Sequence, residues 1–197
     1  TPFGVAQKRG CIDTHERILA MTDWVRRITD ITSWEPLDAR IDWQPMEEQL
    51  GCVLPEDFKE IAETFGLGEF SGYLNLLTGQ EMNDFSVIGV LTGLRRVLTR
   101  VLHRDEAYSP YRIFDGDSGK DSLIPWARGM EEAEFFWLAE TDDSNHWPII
   151  ARLDATEEWH RFDMSTAEFV FRMLNEDEAV EPFTIPEEFG APRYLGY

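Results

Sequence analysis

The residues of this chain that could do chemistry are mainly carboxylates. Glu131, Glu132 and Glu134 crowd one short stretch, and Asp115, Asp117 and Asp121 crowd another. Paired carboxylates act as general acid and base when one is held protonated. Oxygen ligands at fixed spacing hold calcium. Neither pattern is completed. Counted from Asp115, the sixth position of a calcium loop, normally Gly, is Lys120, and the twelfth, normally an acid, is Trp126. A plain turn is the favoured reading. With 38 acids in the chain, neighbouring carboxylates arise from abundance alone, and Glu131 to Glu134 reads as a solvated face.

Other motifs fail in the same way. Gly116-Asp117-Ser118-Gly119 has the form of a serine nucleophile segment, but Lys120 follows where another Gly belongs, and no segment supplies the histidine base. Gly119-Lys120 is followed by Asp121 instead of Ser or Thr, and Phe114 stands where a phosphate loop has its first Gly. His15-Glu16 lacks the second His, since position 19 is Leu. His103-Arg104-Asp105 has no Asn five residues on and no Gly-rich loop before it. The four His are scattered. No catalytic residue, metal ligand or cofactor site is therefore expected, and the chain reads as a non-enzyme.

Charge is the unusual quantity. Thirty-eight acids face eighteen bases, a net of −20. Nucleic-acid affinity comes from Lys and Arg displacing counterions, so a phosphate backbone is an unfavourable partner. Anionic membranes are unfavourable for the same reason. A basic protein is favoured, because opposite fields speed encounter. The acidity is concentrated: from Glu131 to Glu188 there are 17 acids against Arg152, Arg161 and Arg172. The densest positive charges, Arg95, Arg96, Arg100 and Arg104, lie towards a helix C-terminus, where the dipole favours cations, and read as an offset to the surrounding acid.

Seven Trp and thirteen Phe supply core material, each burying roughly 150–250 Å². Two Cys, Cys11 and Cys52, form no zinc spacing and no disulfide framework, which fits a reducing compartment. Thr1 to Gly10 has no apolar stretch followed by a cleavage site, and no run approaches the 18 or more apolar residues of a membrane span. A cytoplasmic location is expected, with a processed or trimmed start, because the sequence opens on Thr1 and not Met.

Ile18, Met21, Val25, Ile28 and Ile31 recur by three and four and predict a helix over 13–31. A second helical block opens near Pro45 and ends at Gly51. A third follows Pro55, carries Phe58, Ile61, Ala62 and Phe65 on one face, and stops at Gly66. Residues 72–77 read as a short strand and 84–103 as a longer helix. The second half holds strand candidates at 111–114, 134–138, 147–153 and 158–162, joined by turns such as Asp142-Asp143-Ser144-Asn145. Ser165 and Glu168 have capping-box spacing at the head of a last helix that carries Phe169, Val170, Met173 and Leu174. Helices first and closely spaced hairpins afterwards predict an α+β fold.

The segment Trp43 to Glu60, with Leu50-Gly51 and then Leu54-Pro55-Glu56-Asp57-Phe58, resembles the opening of the SUKH superfamily. Phe65-Gly66, the Gly72 to Leu76 strand, Leu123-Ile124-Pro125-Trp126, Phe136-Trp137, Trp147 to Ile150, Trp159 to Ser165 and the helix to Leu174 continue the likeness over about residues 41–175. Residues 1–40 then form an N-terminal helical extension, and 176–197 an acidic, Pro-containing tail. The resemblance implies an antiparallel sheet of about five or six strands with helices on one side. Members include fungal cell-wall synthesis regulators and bacterial immunity proteins that neutralise a cognate toxin, often a nuclease or deaminase.

A non-catalytic protein-binding function of the immunity type is thus the leading expectation. The candidate partner-binding residues are Glu131, Glu132, Glu134, Asp142, Asp143, Glu157 and Glu158. The expected partner is a toxin with a basic surface, with no nucleic acid, membrane, metal or cofactor. A regulatory or scaffold module, and then an enzyme, are the alternatives.

Overall fold

The computed structural model describes residues 14–37, 39–81, 83–100, 106–116 and 121–197. Cys11, His103 to Asp105 and Asp117 to Lys120 lie outside them, as do the side chains of His15, Glu16 and Glu131. The fold is α+β, with five helices and an eight-stranded sheet among the described residues. In chain order these are α1 (Thr14–Thr32), α2 (Gln44–Leu50), α3 (Glu56–Phe65), β1 (Gly68–Phe70), β2 (Leu74–Leu76), α4 (Val87–Leu98), β3 (Arg112–Ile113), β4 (Ser122–Gly129), β5 (Glu134–Leu138), β6 (Ile149–Arg152), β7 (His160–Phe162), α5 (Thr166–Leu174) and β8 (Tyr194–Gly196). No described helix is long and apolar enough to cross a membrane.

The strand order is β7-β6-β5-β4-β2-β1-β8, antiparallel throughout, with β3 added in parallel against the first half of β4. The sheet is larger than the five or six strands that the resemblance implies. The expected strand over 111–114 is present as β3; the short additions are β1 and β8, each three residues long, too short for an alternating pattern to show. The longest strand, β4, contains Pro125 and was disguised by it. Its register against β5 shifts between Pro125 and Ala127, leaving Trp126 as the extra residue of a bulge. A bulge is one of the few places in a sheet where a residue without an N–H fits.

Local chemistry explains the helices. Gly51 closes α2 at φ 83°, the left-handed conformation that glycine adopts without strain. Ser86 caps α4 by accepting from the Gly89 N–H, and Ser165 caps α5 by accepting from the Glu168 N–H. Only half of the expected capping box forms at α5, because the Glu168 carboxylate is taken by Arg172. Asp57, buried in the first turn of α3, accepts from its neighbour Phe58 and, at 2.7 Å, from Ala167 in the first turn of α5. One carboxylate thus serves two helix N-termini. Burial pushes its pKa up, against hydrogen bonds from Ala167, Ser165, Phe58 and Thr166 that pull it down.

Alternate residues of the sheet face opposite ways. On the first face Ile124, Trp126, Phe135, Trp137, Ile149 and Ala151 meet α3 and α5 in one continuous core. Phe58 stands edge-on to Trp137 at 4.9 Å, and Phe169 edge-on to Trp126 at 6.0 Å. The parts flanking 41–175 are built into that core: Val25 and Ile28 of α1, and Val180, Phe183, Ile185 and Tyr194 of the last segment, are all buried. On the second face Leu123, Phe136, Leu138 and Ile150 form a smaller cluster with Tyr108, which Leu94 and Leu98 of α4 and Trp159 partly cover.

Candidate functional site

Strand direction sorts the acids. β5 begins where β6 ends, because Glu134 pairs with Arg152, and the two strands are joined at the other end by residues 139–148. Glu131 and Glu132, in the single turn Met130–Glu132, therefore share one end of the sheet with Glu134, Glu157 and Glu158. Asp142 and Asp143 lie at the opposite end, about 17 Å away along a five-residue strand. The seven candidate residues form two groups and not one surface.

The residues of the first group differ in availability. Glu132, Glu157 and Glu158 are exposed. Glu134 is half-buried and bound inside the protein: it accepts from Arg152 Nε at 2.5 Å and from the Tyr108 hydroxyl at 3.3 Å. Burial and the Glu134 charge push the Tyr108 phenol up to about 12, so it stays a donor. Arg152 is itself buried, donates to the carbonyls of Ala107 and Ala155, and lies 4.1 Å from the Trp159 ring centroid. The only Lys or Arg between Met130 and His160 is thus consumed in tying the 106–111 segment to the sheet.

Asp154 joins this end, a residue absent from the charge-based set. Its Oδ1 accepts from both the N–H and the hydroxyl of Thr156 at 2.6 Å, which holds its pKa below the ordinary carboxylate range. The Asp-x-Thr order is the sequence signal for that turn. Between these acids lies a notch of about 220 Å³, lined by Tyr73, Met130, Ala133, Leu153, Asp154 and Glu157. Its floor is apolar and its rim acidic.

The opposite end is tied differently. Asp143 accepts from Asn145 N–H and lies 2.6 Å from His146 Nδ1. Its slight burial raises its pKa, and these two partners more than reverse that. Asn145 in turn accepts from Glu56 N–H at the head of α3. Only Asp142 there is exposed with no described partner.

A second concavity, of about 520 Å³, opens on the second face between the end of α4 and residues 108–115. Arg95, Leu98, Thr99, Tyr108, Tyr111, Arg112, Ile113 and Asp115 line it. Of these, the sequence singled out Arg95 as an offsetting charge and Asp115 as a turn carboxylate; the set converges only through the fold. Among the described residues no cluster of three or more His, Cys, Asp or Glu is arranged to hold a metal ion. Cys52 is half-buried, and burial pushes its thiol up to about 11, away from nucleophilic use.

The chain matches no family model, no curated protein and no solved structure.

Proposed function

We propose that this protein is a non-catalytic binding module that docks a basic protein through the sheet end carrying Glu132, Asp154, Glu157 and Glu158. The observation that supports this most is the notch that Asp154 and Glu157 line. At about 220 Å³ it is below the roughly 300 Å³ at which small-molecule pockets begin, and suits one long side chain. A Lys or Arg would lay its stem on Met130, Leu153 and Tyr73 and present its charge to Asp154 and Glu157. The resemblance to SUKH immunity proteins narrows the partner to a cytoplasmic toxin of nuclease or deaminase type, whose own substrate requires a basic cleft.

Co-expression with the products of neighbouring genes, followed by binding kinetics on any pair that forms and a growth assay, tests this. Glu132→Lys, Glu157→Lys and Glu158→Lys combined should slow association at least tenfold at low salt, and wild-type association should fall steeply as salt rises. Asp142→Lys with Asp143→Lys should change it less than twofold. A bound partner indifferent to salt and to the triple variant rules the docking end out. A partner whose activity is not suppressed rules out the toxin-neutralising part and favours a regulatory module.

A further inference from the structure

We propose that the second-face groove binds a small aromatic anion, its ring against Tyr108 and Tyr111 and its carboxylate or phosphate on Arg95 and Arg112. The site is separate from the acidic sheet end and does not depend on that end docking a protein. Its volume of about 520 Å³ falls within the roughly 300–1,000 Å³ of small-ligand pockets, enough for a ring and a head group.

The two guanidiniums are built for this. Arg95 Nε donates to the Phe114 carbonyl at 2.6 Å, and Arg112 Nε donates to Ser122 Oγ at 3.2 Å. Each fork is held by one edge, which leaves its terminal nitrogens for another acceptor. Arg152, Arg161 and Arg172 each hold a carboxylate within 4 Å, whereas Arg95 and Arg112 hold none among the described residues. Arg95 Nη2 is buried with no hydrogen-bond partner. An orphaned buried donor is rare in native proteins, and a bound anion is one of the few groups that would satisfy it.

The aromatic wall is equally fixed. Tyr108 stands edge-on to Phe136 at 5.8 Å with its hydroxyl on Glu134, and Tyr111 stands edge-on to Trp159 at 5.6 Å. Leu98 and Ile113 complete an apolar side. The field alone would not recruit an anion. Asp115 lies on the rim, and the end of α4 adds about half a negative charge, so two cations leave the groove only slightly positive. Recognition must come from the paired forks and the rings together, so neither half of the ligand should bind well alone.

Calorimetric titration of the full chain with four probes separates these terms: benzoate, phenyl phosphate, phenol and inorganic phosphate. Benzoate or phenyl phosphate should saturate with a Kd below about 1 mM, and whichever is tighter identifies the head group. Phenol and inorganic phosphate should each bind at least tenfold more weakly. Arg112 is exposed, so Arg112→Gln should leave the melting temperature unchanged while weakening the aromatic anion at least tenfold; Arg95→Gln should do the same if it folds. Failure of both aromatic anions to bind below 10 mM, equal binding of phenol, or an Arg112→Gln variant that binds like the wild type overturns the proposal.

Discussion

The two faces of the sheet are made of alternate residues of the same strands, yet they are finished differently. The first is sealed by helices and an unbroken aromatic core, and the one buried carboxylate among the described residues, Asp57, is answered there by main-chain donors. The second has a five-residue cluster, a partly buried Arg152–Glu134 pair and an open groove. Apolar packing is tolerant of detail as long as volume is kept, while a charged pair demands its partner. The first face therefore carries stability, and the second carries fixed polar geometry that stability alone does not require.

The sharpest test is a matched pair of tryptophans. Trp137 is 1% exposed, packs on Phe58 and donates to Thr166 Oγ1 at 2.9 Å. Trp137→Ala should cost about 3–5 kcal/mol in denaturant unfolding. Trp159, half-buried on the second face, should cost about 1 kcal/mol. Equal losses would erase the distinction between the faces. Next is the ion pair. Arg152→Met strands Glu134, and because Glu134 is 26% exposed the loss should be at the low end, about 3 kcal/mol. Adding Glu134→Leu should recover most of it. A double variant no better than the single would show that Arg152 acts through Tyr108 and Trp159 and not through charge.

These contrasts bear on what could be read from the chain. The helix between Pro55 and Gly66, the strand Glu134–Leu138 and the Ser165-capped helix are legible because cap, period and breaker agree there. The strand β4 is not, because Pro125 argues against a central strand until the bulge is known. The last segment looks like a surface tail by composition. Its Val180, Phe183, Ile185 and Tyr194 are spaced too irregularly to show a buried face, and β8 fits against β1 only because Gly68 has no side chain to meet Tyr194. The acid content of the candidate site is plain in the sequence. Its partition between two sheet ends, and the loss of Glu134 to Arg152, depend on register, which pairs residues 18 apart.

Asp57 separates burial from hydrogen bonding on the first face. Its folded pKa is raised above the ordinary value, so its contribution to stability is complete below about pH 4 and declines as pH rises through the raised value. Asn in its place cannot ionise. The stability gap between wild type and Asp57→Asn, read from urea midpoints at pH 4.5, 6 and 7.5, should therefore shift against the wild type as pH increases. The overall −20 charge affects both chains alike and drops out of the difference. A constant gap would mean that the helix N–H groups fully offset burial.

The caps carry the comparison to single hydroxyls. Ser86 heads α4 and serves only its own helix, accepting from Gly89 N–H at 3.1 Å while donating to the Asn83 carbonyl. Ser165 accepts from Glu168 N–H at 3.3 Å and also hydrogen-bonds the buried Asp57 carboxylate. Its removal would cost a cap and leave a buried charge one donor short. Ser165→Ala should then cost about 2 kcal/mol and Ser86→Ala about 1 kcal/mol. The Ser165→Ala loss should shrink in the Asp57→Asn background, where no charge needs that donor, while the Ser86→Ala loss should add independently. If both losses add alike, Asp57 and Ser165 are not coupled, and the first face is held by packing alone.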